Sequence, residues 1–225
     1  MKLGNIYLIR KKISNLNGSS VMNNISINQL RKNTEILIID DEEFSLLDMI
    51  KKHGFNVHHK KDIDDIKDLQ PYDIVLCDIR GVGKIYDSTF EGAYVIKEER
   101  INYPNKQIIA YTASSYNAEY NKYLSCADAI VPKGTSPEDW VSLLDEQLFK
   151  CVDPVFQWGK MRGALLEAGM DTIDVAKIEA LYVKAIEEKD FTSLKALQNN
   201  KNKAIRPIIS EFLSSLIVKY LSGGF

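Results

Sequence analysis

Cysteine is scarce in this chain. Only Cys77, Cys126 and Cys151 are present, far apart and with no CxxC pair. That leaves no spacing for a paired-cysteine metal or redox motif, and a reducing cytoplasm is the natural setting. Long apolar runs are also missing, since none approaches the roughly 20 residues that a membrane span needs. The opening MKLGNIYLIRKK has only a short apolar stretch with basic residues after it, which does not read as a signal peptide. Histidine is limited to three residues. His58 and His59 are adjacent on a predicted strand and so point to opposite faces, which excludes chelation of one ion and leaves surface histidines. Gly81-Val82-Gly83-Lys84 lacks the GxxxxGK[ST] pattern of a phosphate loop and reads as a flexible loop.

What is present is a chain of 225 residues, 45% hydrophobic, enough for one ordinary domain plus a smaller second unit. The net charge of −2 conceals an uneven distribution. Residues 1–34 carry six Lys/Arg and no acid, residues 35–150 carry 13 basic and 22 acidic groups, and residues 151–225 carry ten and nine. So acidic a middle repels nucleic acid and attracts a divalent cation or a basic partner.

Three segments follow from the patterning. Residues 1–34 read as an N-terminal extension: an alternating apolar pair, Ile6/Leu8, suggests a strand over 3–13, and the Asn/Ser-rich stretch 14–34 a flexible lead-in. Residues 35–150 alternate strand and helix five times. Ile36-Leu37-Ile38-Ile39 and Asp73 to Asp78 are continuous apolar runs of the kind that a strand buried on both faces requires. Phe55 to His58, Gln107 to Tyr111 and Ala129 to Val131 complete the strands. Helical spacing covers Phe44–Lys52, Ile63–Leu69, Gly92–Arg100, Ala118–Ser125 and Pro137–Phe149. This α/β alternation predicts a parallel sheet with helices on both faces. Residues 151–225 show helical spacing alone, over Val155–Ala168, Ile173–Glu187, Phe191–Gln198 and Ala204–Leu221. An all-α bundle or hairpin pair is expected there. Trp140 and Trp158 are expected to pack the last helix of the middle segment against these C-terminal helices.

In an open parallel α/β sheet, ligands bind at the carboxyl ends of the strands. Asp40 and Asp41 follow the first strand, Asp78 the third, Thr112 the fourth and Lys133 the fifth. Converging carboxylates repel one another by about 4 kcal/mol per pair at 4 Å and an effective dielectric near 20. Such a cluster persists where protons or a cation neutralise it, and an all-oxygen set suits Mg²⁺. A carboxylate is an accepted phosphoryl nucleophile, a lysine pairs with the added dianion, and a threonine hydroxyl can hydrogen-bond to it.

Together, ILIIDDEEFSLL, DIVLCDIR, IIAYTAS and CADAIVPKGTSPEDW resemble the receiver (phosphoacceptor) domains of two-component response regulators in bacterial phosphorelays, over roughly residues 35–149. The resemblance implies a flavodoxin-like, doubly wound five-stranded sheet of order 2-1-3-4-5 and an aspartyl phosphate on Asp78. It implies Mg²⁺ held by Asp40, Asp41, Asp78 and the backbone carbonyl of Arg80, with Thr112 and Lys133 as the switch and phosphate-binding pair. Three features depart from the family's pattern. Gly134 follows Lys133 where the family has proline, Ile130 stands where an aromatic is common, and the loop 79–91 is long and lacks the customary Met-Pro. They bear on the geometry of output rather than on the chemistry.

The function expected from the sequence is therefore a cytoplasmic response regulator. It would accept a phosphoryl group from a sensor histidine kinase or a histidine-phosphotransfer protein, and signal through protein–protein contacts of its helical tail. A second copy of the chain and a downstream protein are the other expected partners, with no membrane and no nucleic acid. It is not expected to be an enzyme beyond its own phosphorylation and dephosphorylation. Two alternatives stand beside this reading: a transcription regulator with a divergent DNA-binding helical domain, or a phosphate sink without direct output. Lys195, Lys201, Lys203 and Arg206 form only a modest basic cluster, for which a solvated turn is the default.

Overall fold

The computed structural model describes residues 12–16, 26–112, 118–199 and 202–221. They divide into two units: Ser26–Cys151, and the residues from Val152 onward together with 12–16.

The first unit is built on a five-stranded parallel sheet of order β2-β1-β3-β4-β5. Its strands are β1 (Glu35–Ile39), β2 (Asn56–Lys60), β3 (Ile74–Asp78), β4 (Gln107–Thr112) and β5 (Ala129–Pro132). The three central strands are buried along almost their whole length, whereas β2 and β5, at the edges, are partly exposed. Helices are required on both faces because parallel strands need crossovers. They are α2 (Leu47–Lys52), α3 (Gly92–Asn102), α4 (Asn121–Leu124) and α5 (Pro137–Val152), with a 3-10 turn at Ile66–Leu69 between β2 and β3. The sheet's side chains alternate. Leu37, Ile39, Val75, Cys77, Ile108 and Ala110 join a core with Val95, Ile96 and Tyr123, so Ile36, Ile38, Ile74, Leu76, Ile109 and Tyr111 face the other way.

Helix α1 (Ile27–Asn33) precedes β1, where a flexible lead-in was expected. Its Asn-rich composition hides an anchoring stripe. Leu30 is 3% exposed. The Arg31 guanidinium donates to both carboxylate oxygens of Asp145 in α5, at 2.8 and 2.6 Å, and lies 4.8 Å from the Phe55 ring centroid. The planar fork of arginine matches a carboxylate in this way. Of the expected strand at 3–13, residues 3–11 lie outside the described residues. Ile13–Asn15 is a 3-10 turn.

The second unit is helical throughout its described residues: α6 (Pro154–Glu167), α7 (Thr172–Glu188), α8 (Thr192–Lys195) and α9 (Ile205–Leu221). Asp153 and Asp171 cap α6 and α7 by accepting from Val155 N and Ile173 N, both at 2.8 Å. The core stacks Trp158 on Tyr182 at 5.3 Å, with Phe212 beyond, among Met161, Leu165, Val183 and Leu213. Leu16 joins it, and the Ile13 amide donates to Glu179 Oε1, whose other oxygen accepts from Trp158 Nε1. Trp158 stacks inside the helical core, and Trp140 makes edge-to-face contacts with Phe44 and Tyr111 of the sheet unit.

If α1 belongs to the folded unit, Leu30→Ala should cost about 2–5 kcal/mol in urea unfolding, as buried leucine truncations do. In a free linker the same change would stay within about 0.5 kcal/mol.

Candidate functional site

The strand ends are fastened in sequence. Asp40 N donates to Lys60 O at 3.1 Å, carrying the β1–β2 ladder one residue past β1. Asp78 closes β3 in register with Tyr111. The Lys133 amide donates to Thr112 O at 2.8 Å, so the residue after β5 is held to the end of β4. This ladder brings Asp40, Asp41, Asp78 and Lys133 to one edge of the sheet.

Oxygens of Asp40, Asp41 and Asp78 lie within 4.8 Å of one another. Asp40 and Asp78 are 3% and 4% exposed, while Asp41 is open to solvent. Lys133 Nζ stands 2.5 Å from Asp78 Oδ2 and 3.5 Å from Asp40 Oδ2. Backbone amides supply further donors, Arg80 N to Asp78 Oδ1 at 3.2 Å and Glu42 N to Asp40 Oδ1 at 3.0 Å. Burial pushes the Asp78 carboxyl above the ordinary carboxylate range, against the opposing pull of Lys133 and the Arg80 amide. Desolvation works to lower Lys133, but its contacts with Asp78 and Asp40 outweigh that and raise it, so the ammonium stays charged. The Lys133 ammonium thus contacts two of the three carboxylates. The donor set on the acidic side is all oxygen, with one open member, which fits a hard divalent cation such as Mg²⁺.

Thr112 is nearly buried at the end of β4, one register step beyond Asp78. Arg80 turns its guanidinium to 4.8 Å from the Tyr120 ring centroid. Gly134 leads out of β5 with open space around its Cβ position, and Ile130 is 44% exposed on the edge strand. Cys77 is fully buried directly behind Asp78, and the apolar surroundings hold its thiol protonated, as a small hydrophobe would require. The histidines make separate contacts, His58 with Glu35 and His59 with the carbonyl of Asp40.

Two features went unread in the sequence. The first is the Tyr111 hydroxyl, which donates to Asp40 Oδ2 from a ring that is 1% exposed. Desolvation and the neighbouring carboxylates raise its pKa, so it remains a donor. An isolated strand tyrosine carries no signal of such a contact; only the register with Asp78 does. The second is the loop 79–91, expected to be flexible and in fact tied down. Val82 is fully buried, Gly81 N donates to Glu91 Oε2 and Gly83 N to Asp62 Oδ1, both at 2.7 Å. Gly81 has a φ of +85°, and a Cβ there would fall 2.1 Å from Asp41 Oδ1. Gly92 is equally constrained, since a Cβ would lie 1.8 Å from the Asp78 carbonyl oxygen. Gly81 thus lets the backbone approach the Asp41 carboxylate, and Gly92 lets the start of α3 approach the backbone of Asp78.

No protein-family model matches the chain, and no curated protein does. Among the solved structures of similar chain path are receiver domains matched over about half of this chain. A CheY-like response regulator receiver domain from Methanospirillum hungatei JF-1 is 21% identical with a TM-score of 0.43, over 52% of this chain and 95% of that one. The BeF3-activated N-terminal receiver domain of Klebsiella pneumoniae RstA is 20% identical with a TM-score of 0.43, over 51% and 98%. Chemotaxis protein CheY4 of Vibrio cholerae is 17% identical with a TM-score of 0.42, over 51% and 98%.

The raised Asp78 carboxyl has a consequence for stability. A carboxyl whose folded-state pKa exceeds its unfolded value contributes stability that is complete below the unfolded pKa and lost as pH rises through the folded one. Ionisation of Asp78 therefore counts against the fold as pH rises. Asp78→Asn should raise the thermal midpoint measured in chelator at neutral pH, and the advantage should shrink as pH falls through the carboxylate range. A lower midpoint at neutral pH would contradict the assignment of strain to this group.

Proposed function

We propose that the Ser26–Cys151 unit is a phosphorelay receiver and the chain a response regulator, with Asp78 as phosphoacceptor. The observation that carries this is Lys133 Nζ at 2.5 Å from a buried Asp78, with Asp40 and Asp41 oxygens gathered within 4.8 Å. The donor would be a sensor histidine kinase or a histidine-phosphotransfer protein. An Asp78 oxygen forms a bond to phosphorus as the P–N bond of the donor breaks. The electron pair stays on the imidazole nitrogen, which then takes a proton from water. In the reverse direction of control, water attacks phosphorus, the P–O bond to Asp78 breaks, and the carboxylate is restored. The activity amounts to the domain's own phosphorylation and dephosphorylation.

Asp40, Asp41 and Asp78, with the carbonyl of Arg80, would hold Mg²⁺, which when bound offsets the charge on the incoming phosphoryl oxygens. Lys133 already points its ammonium at an Asp78 oxygen, so the new dianion would have a counter-charge beside it. Thr112, at the end of β4, would supply the hydroxyl that follows the phosphate. The helical unit would carry the output through protein–protein contacts. Its described helices close their apolar residues into a core of their own, and Lys195, Lys203 and Arg206 are its exposed basic groups near α9. The cytoplasm is the compartment in which such a relay operates.

Treatment with acetyl phosphate and Mg²⁺ should add about 80 Da, one phosphoryl group, to the wild type and nothing to Asp78→Ala, read by intact mass. Chelator should abolish the gain. Wild type that stays unmodified, or Asp78→Ala that is modified to the same extent, would sink the assignment.

A further inference from the structure

The receiver reading leaves open how the state of the acidic site reaches the rest of the unit, and the position where an aromatic is common on β5 holds the exposed Ile130. The aromatic side chain in contact with the site lies one strand over. Tyr111 is paired in register with Asp78 and so shares its face of the sheet. Its hydroxyl donates to Asp40 Oδ2, the same oxygen that Lys133 Nζ approaches at 3.5 Å. Lys133 Nζ also lies 5.1 Å from the centroid of the Tyr111 ring.

The other side of that ring is equally committed. Tyr111, Phe44 and Trp140 form a triangle of edge-to-face contacts, with centroids 5.6 Å apart for Phe44–Tyr111, 5.7 Å for Phe44–Trp140 and 6.1 Å for Tyr111–Trp140. Trp140 is 1% exposed in the first turns of α5, and Phe44 belongs to the segment just after Asp40 and Asp41. Close-packed rings leave little room for one to move alone.

We infer that Tyr111 is a positioning residue that orients Asp40 and ties the acidic site to Trp140 of α5; this rests on the receiver reading above. Asp40 Oδ1 accepts from the Glu42 amide and Oδ2 from the Tyr111 hydroxyl, so the carboxylate is held at both oxygens. A cation held by Asp40 polarises the carboxylate that the tyrosine hydroxyl keeps in place, and so alters that hydrogen bond. A phosphoryl group on Asp78 draws Lys133 toward itself and alters the charge above the ring. Either event acts on a rigid ring whose neighbours are Phe44 and Trp140. The relay thus passes through β4 to the start of α5 and needs no aromatic on β5.

Tryptophan emission of the 225-residue chain tests this, because its two tryptophans lie in different units. The emission change on adding Mg²⁺ and acetyl phosphate should survive Trp158→Phe and vanish in Trp140→Phe. In the Trp158→Phe background, Tyr111→Phe keeps the ring and deletes only the hydroxyl. It should remove more than half of the emission change per phosphorylated molecule, the phosphorylated fraction being taken from intact mass. It should also weaken Mg²⁺ binding about tenfold, as loss of a hydrogen bond to a metal ligand does. Wild-type amplitude and wild-type Mg²⁺ affinity in Tyr111→Phe would overturn the inference while leaving the receiver reading intact. A parent protein that neither binds Mg²⁺ nor gains mass would overturn both.

Discussion

Repulsion between carboxylates held at the edge of a buried sheet is the interaction around which this unit is organised. Asp40 and Asp78 have almost no access to water, and Asp41 stands beside them. Like charges about 4.8 Å apart repel by roughly 3–4 kcal/mol at an effective dielectric near 20. Lys133, the Arg80 and Glu42 amides and the Tyr111 hydroxyl offset part of that, while burial, more than the neighbouring carboxylate, holds the Asp78 carboxyl above its ordinary range. A fold selected for stability alone would place neutral side chains here. Local conflict of this kind is the physical ground on which the receiver proposal rests.

Everything nearby restrains the conflict rather than relieving it. The parallel ladders extend past the strand ends to Asp40 and Lys133, so neither backbone can retreat. The loop 79–91 is pinned by Val82 in the core and by hydrogen bonds to Asp62 and Glu91. Gly81 and Gly92 allow backbone to press against Asp41 and Asp78 where any Cβ would collide. The result is a set of oxygens whose positions are decided by packing, so that binding a cation there orders little that is not ordered already.

Much of this was legible in the residues. Continuous apolar runs at Ile36–Ile39 and Ile74–Asp78 announced strands buried on both faces, and five alternations announced a parallel sheet. The acids, the threonine and the lysine each followed a strand, which placed them at one edge. Less was legible where a contact depends on long-range register. The Ile27–Asn33 helix was hidden because Asn-rich composition outweighs a single buried Leu30 and an arginine whose partner, Asp145, lies 114 residues away. The loop 79–91 looked free because its anchors, Asp62 and Glu91, are unremarkable acids in sequence.

By itself, then, the sequence determined the class of fold and which chemical groups meet at the sheet's carboxyl edge, since period-2 and period-3.6 patterning and strand-end position are local properties. Only the tertiary structure decided that Tyr111 reaches Asp40, that Arg31 grips Asp145, and that the glycine-bearing loop closes on the site. Those contacts depend on angles and distances of a few ångströms between strands far apart in the chain. No local pattern encodes them, because they exist only once the core has packed.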